Sequence, residues 1–313
     1  MAVNSGEILF VKSVKDGIPN RDPLADSDAR RIFDDGRISL SDVSLKRDVR
    51  DYVLARHADG GENKRNFVFV REERTAEGNL LGRGNLAKGI LERAGVDGKD
   101  LKTSLDRKDA LCRHTFDVRA FGAVYSVGGE SFHLTGPVQF GWAHSLHPVE
   151  TRYVQGTVVM PSEEDNKEQG TIWTTYTLPF AVFAMPGVVN ASIARETGMD
   201  EADMELLLEG LWRGTQHRQA RGRGNQQPLF LLHVEYKDPF FRLGYLEEGV
   251  SLEPPDGAPK GLNEVRLDLR RLGETLARNE GKIARCRHWT NAALGADQVL
   301  GEIPGEAGKP FGD

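Results

Sequence analysis

The chain has 313 residues, 39% of them apolar and 28% charged, with a net charge of −6 and two cysteines. That composition fits one elaborated globular domain or two small ones, and it excludes a disulfide scaffold, a bilayer-spanning helix and a uniformly basic nucleic-acid coat. The opening MAVNSGEILF lacks the basic segment and long apolar core of a secretory leader, so a reducing cytoplasm and no membrane partner are expected.

Glu7 to Val14 (EILFVKSV) is apolar on both faces and predicts a central strand, with Lys12 beside Ile8 and Phe10. A loop rich in Pro, Gly and Asp follows from Lys15 to Asp28. Ser41 or Asp42 can cap a helix to about Arg56, in which Leu45, Val49, Tyr52 and Val53 share a face. Lys46 and Arg50 flank that stripe, with Arg47 further round, and predict positive charge along the helix. Residues 57–115 are polar and glycine-punctuated, with a short strand at Asn66–Val70 and a helix at Leu86–Ala94; they read as an insertion.

Phe116 to Val127 predicts a second core strand. Thr151–Pro161 and Gly170–Leu178 predict a projecting hairpin around the charged tip Ser162–Gln169. Phe180–Ile193 reads as a core strand and Asp200–Arg213 as a helix capped by Asp200 and stopped at Gly214. Leu229–Tyr236 is the last expected core strand, and a helix near Asn263–Arg278 lies in an undistinctive tail. Without the insertions the order is strand, helix, strand, strand, helix, strand: an α+β, ferredoxin-like or RNA-recognition-motif-like arrangement.

Enzyme signatures are sparse. There is no HExxH, GxSxG or CxxC, and Gly82-Arg83-Gly84 follows no adjacent strand, so it reads as a flexible loop. Cys112-Arg-His114 and Cys286-Arg-His288 match no common zinc spacing, so no metal or other cofactor is expected. Asp16, Asp22, Asp26 and Asp28 could hold a divalent ion for cutting RNA, but aspartates beside Pro19 and Pro23 are ordinary turn formers. The strongest signal is Gly210–Gln227, which holds Arg213, Arg218, Arg221 and Arg223 and no acid among glycines and glutamines; such a loop suits phosphate. Thr135–Glu150 gathers Gln139, Trp142, His144, Ser145 and His147, side chains that can stack on bases or bond phosphate and ribose, and that serve equally well in a core.

Five segments in order, FVKSVKDGIPNRDP, SDVSLKRDVRDY, DVRAFGAV, TGPVQFGWAHSLHPVE and LWRGTQHRQARGRGNQQPLFLLHVEY, resemble the CRISPR-associated backbone subunits of Cascade, the Cas-seven family, and most closely its type I-B branch. The resemblance runs from Ile8 to Leu246. It implies a right hand: a palm built from 1–56, 116–152 and 177–248, fingers from 57–115, a thumb hairpin at 153–176, and a C-terminal extension at 249–313. It also implies a non-catalytic role. Copies stack head to tail along a CRISPR guide RNA with other Cascade subunits, and the guide pairs with a target DNA strand. By that pattern Asn20, Lys46, Arg47, Arg50, Gln139, Trp142, His144 and Ser145 serve the RNA path, and Arg218, Arg221 and Arg223 clamp phosphates. Met160 and Trp173 are thumb wedges chosen by location. The first loop departs from the family's asparagine-rich version, with Arg21 adding a charge. Two other readings stand beside this one: a metal-dependent endoribonuclease like the type III backbone subunits, and a stand-alone single-strand RNA-binding module.

Overall fold

The structure, a computed structural model, describes residues 2–25, 28–30, 35–157, 172–218, 225–254, 259–309 and 311. Strand β1 (Gly6–Gly17) sends Ile8, Phe10 and Val14 into one hydrophobic core and Leu9 and Val11 into another. Both faces of its sheet are therefore covered, as its doubly apolar sequence requires.

In chain order there follow β2 (Ser39–Leu40), α1 (Asp42–Arg56), α2 (Arg83–Arg93), α3 (Ser104–His114), α4 (Phe116–Phe121), β3 (Gly122–Val127) and β4 (Glu130–Thr135). Next come β5 (Val138–Phe140), β6 (Ala143–Ser145), β7 (Arg152–Thr157), β8 (Ile172–Val189), α5 (Ala191–Thr197), α6 (Glu201–His217) and β9 (Gln226–Tyr236). The C-terminal part holds β10 (Ser251–Glu253), β11 (Arg266–Asp268), α7 (Arg270–Arg278), β12 (Ile283–Thr290), β13 (Val299–Leu300) and β14 (Glu306–Ala307). The main sheet runs β14-β12-β9-β1-β8-β6-β2, with β5 and β7 also on β8. Strand β1 is antiparallel to both neighbours.

One face carries α1 and α6, which bury Leu45, Val49 and Val53 against Met204, Leu207 and Leu211. Helix α6 opens with a reciprocal capping box between Asp200 and Asp203. Gly214 does not end it. A Cβ there would lie 2.5 Å from the Asp48 carbonyl oxygen, so the glycine lets α6 press onto α1 and run on to His217. The opposite face is roofed by Leu246, Leu252, Leu267, Leu272 and Leu276 from the C-terminal part. That tail, undistinctive in sequence, thus completes a core, and β12 extends the main sheet beyond β9. The helix expected near Asn263–Arg278 begins only at Arg270, because Arg266–Asp268 is used as strand.

A third cluster stands apart: Phe67, Leu86, Ile90, Leu111, Val118 and Tyr125, with Phe132 packed on it. Here two expectations fail. Phe116–Val127 is not a core strand but α4 followed by β3, and among the described residues β3 pairs with β4 alone. The short strand at Asn66–Val70 reduces to one bridge, Phe67 to Thr115. The expected hairpin is present at its base, where β7 pairs with residues 172–177 of β8; its tip lies outside the described residues. Its second strand does not stop at Leu178 but runs unbroken through Phe180 to Val189, where α5 takes over.

Candidate nucleic-acid interface

The candidate site is built around the start of α1. Its N-cap Ser41 makes no side-chain cap bond to the helix. Instead the Ser41 hydroxyl donates to Asn20 Oδ1 at 3.0 Å, and Ser44 donates to the Pro19 carbonyl at 3.0 Å, strapping the loop after β1 across the helix start. Asn20 is 8% exposed, and its Nδ2 is buried with no hydrogen-bond partner. This unsatisfied buried amide lies beside the positive end of the 15-residue α1.

Lys46 lies one turn on. Its Nζ sits 2.8 Å from Asp42 and 3.4 Å from Gln139 Oε1, while Gln139 Nε2 donates to the Gly136 carbonyl. Arg50 pairs with the fully buried Asp117 at 2.9 Å and lies over the Phe121 ring. Arg47 pairs with Asp51 at 2.6 Å. The flank of α1 is therefore not a bare cationic stripe. Lys46 and Arg50 are each 9% exposed, and charges taken that far from water require partners.

Arg218, at the end of α6, reaches the same helix. Nη1 lies 3.1 Å from the Ser44 carbonyl and 2.5 Å from Asp48. Asp48, fully buried, also receives Lys12 Nζ at 3.1 Å, and Lys12 in turn donates to Gln226. Arg213 is likewise paired, with Glu209 at 3.2 Å. Of the acid-free stretch, Arg218 thus finds its carboxylate on α1 and Arg213 finds its own one turn back on α6. Arg221 and Arg223 lie outside the described residues.

The strip continues past β2. Ser39 and His144 Nδ1 are 3.0 Å apart, and burial lowers the His144 pKa below its ordinary value, leaving a neutral ring at pH 7. Trp142 is 40% exposed, with the Arg30 guanidinium 5.2 Å from its ring centre. Ser145 is fully buried: it accepts from Ile38 N and donates to the His147 carbonyl, so its hydroxyl serves the fold. Segment 39–46 thus touches Asn20, Gln139 and His144 and brings these side chains together. Sequence reasoning missed Arg30 and the Lys12–Asp48–Arg218 node. The only local hint was a lysine in an otherwise apolar strand.

On the hairpin, Trp173 packs over Gly156, where a Cβ would come within 2.4 Å of the ring. Tyr153 and Ile172 are exposed there and were not anticipated. Met160 lies outside the described residues. Of the first-loop aspartates, Asp22 accepts from Leu24 N and Asp28 from Ala29 N, and Asp26 lies outside the described residues. Cys112 and Cys286 sit in different cores, burial pushing both thiols up to about 11, and no metal-ligand cluster occurs among the described residues. No helix there is long and apolar enough to cross a membrane.

The fold is shared with two solved chains, each nearly fully covered. One is from a CRISPR RNA-guided surveillance complex, pre-nicking (TM-score 0.54, 16% identity, 96% of each chain). The other is from a CRISPR RNA-guided surveillance complex (TM-score 0.51, 17% identity, 96% of this chain and 95% of that one). Residues 4–270 match the family described as CRISPR-associated protein Cas7. A Haloferax volcanii protein of that description is 30% identical over 304 residues, covering 90% of this chain and 85% of the relative. The chain belongs to the CRISPR-associated Cas7 family.

Proposed function

We propose that this chain is a non-catalytic backbone subunit of a type I Cascade complex that binds a CRISPR guide RNA, oligomerises along it and supports pairing of the guide with target DNA. Family membership supports the complex, and the strip from Asn20 through Lys46 and Gln139 to Trp142 supports the ligand. In this reading the palm is ferredoxin-like: β1, α1, β6, β8, α6 and β9 give the spatial order β9-β1-β8-β6, with both helices on one face. The third hydrophobic cluster is the core of the fingers, and the β7–β8 hairpin is the thumb.

The observation that carries the reading is the unsatisfied Asn20 amide beside the α1 N-terminus, which offers donors to a phosphate. Most nearby cations are already paired, so the strip holds the strand by directed hydrogen bonds. Bulk charge would come from Arg221 and Arg223. The experiment is Asn20→Asp, which keeps the acceptor for Ser41 and replaces the donor by a carboxylate. Burying a carboxylate there should lower the melting temperature, so the readout is the folded fraction, whose affinity for a guide-length single-stranded RNA should fall about tenfold or more. Wild-type affinity in that variant would contradict the assignment.

A further inference from the structure

At the two ends of β1, on the roofed side of the sheet, lie a knob and a hole. The knob is the loop after β9. Phe240 is 91% exposed and Tyr245 76%, with exposed Arg242 between them. The loop is nonetheless pinned. Asp238 accepts from Phe240 N, and Phe241 packs edge-on to Tyr236 under the Lys282 ammonium. Leu243 N and Gly244 N donate to the buried Glu7 carboxylate at 2.8 and 3.0 Å. A rigid loop that presents two aromatic rings and an arginine has the make-up of an interface hot spot, and its ordering cost is already met by internal bonds.

The hole is a cavity of about 300 Å³ walled by Pro148, Val149, Pro179, Phe180 and Pro259. Glu150, Arg152 and Lys260 stand around it, all three exposed and without an ion-pair partner among the described residues. Phe180 pairs across β1 with Lys15, whereas the knob follows Tyr236, next to the partner of Gly6. Knob and hole are thus separated by nine residues of strand, roughly 30 Å.

We infer that Phe240 of one copy of this chain seats in the proline-walled cavity of the next. Arg242 then meets Glu150, and Asp238 meets Arg152 or Lys260, so the charges of the two patches are complementary. Because the two patches differ and lie at opposite ends, the contact is heterologous: it repeats in one direction and builds an open row rather than a closed pair. This inference rests on the proposal that copies line up along RNA and names the surfaces that join them.

The test uses the full-length chain on a single-stranded RNA long enough for several copies. Phe240 is exposed, so Phe240→Ala leaves the fold intact. Assembly beyond the first copy should weaken about thirtyfold, while binding of one copy to a short RNA is unchanged. In oxidising buffer, Phe240→Cys mixed with Lys260→Cys should give a disulfide-linked dimer that neither variant gives alone. Rows of Phe240→Ala as stable as wild type overturn the inference and leave the RNA-binding reading standing. So does protection of the Lys260→Cys thiol from alkylation when RNA binds dilute single copies, because a nucleobase would then occupy the cavity. Absence of rows for the wild type removes both inference and array.

Discussion

The two faces of the central sheet are built on different chemistry. The helix side buries charge in paired networks: Lys12–Asp48–Arg218, Arg50–Asp117, and Arg119 with Asp203 at 2.6 Å. The roofed side buries leucines, with Glu7 accepting from Tyr236 and two backbone amides at its end. Apolar packing holds elements together without setting directions. Paired charges fix the orientation of donors around them, and the candidate RNA strip lies beside such pairs. Substitutions on the two faces should therefore fail differently.

Asp48→Ala should give the largest effect. It leaves the buried Lys12 and the half-buried Arg218 without their shared carboxylate, at a cost of about 3–5 kcal/mol in urea unfolding, and RNA affinity of the folded fraction should also fall. Leu276→Ala, under the roof, should cost about 2–4 kcal/mol but leave the RNA affinity of folded protein unchanged. Equal losses of RNA affinity in both would erase the distinction between the faces.

Much of this asymmetry is invisible in sequence. Strands β1 and β9 and helices α1 and α6 are legible because burial imposes periods of two and 3.6 on them. Helix α4 is not. FDVRAF alternates apolar and charged residues as a strand would, yet Asp117 and Arg119 are buried by Arg50 and Asp203, which lie far away in sequence. Strand β12 is hidden for the same reason, since Arg285 and Arg287 find Glu201 and Glu205 on α6. In the site, residue types were readable around Lys46, Gln139 and Trp142. Their pairing was not, because each partner comes from another element.

The helix side should also titrate. His233 is wholly buried beside Arg287, and burial, reinforced by the arginine charges, pushes its imidazole down to about 3. The unfolded chain takes up that proton near pH 6.5, the folded one does not. Stability is thus full above 6.5 and declines as pH falls toward the folded value. Between pH 6.5 and about 5, wild type should lose up to about 1.4 kcal/mol per pH unit that His233→Gln does not. Parallel profiles for the two proteins would show that His233 carries no such linkage.

The smallest effect concerns Arg221 and Arg223. Replacing both by alanine should lower the slope of log affinity against log salt by about 1.4, two phosphate contacts on a single strand. A slope unchanged from wild type would leave the Asn20 strip as the whole binding surface.

A backbone role requires this chain to line up along RNA in register. Native mass spectrometry of particles formed on guides of increasing length measures that directly. The number of copies should rise in proportion to RNA length. A single copy at every length would contradict it.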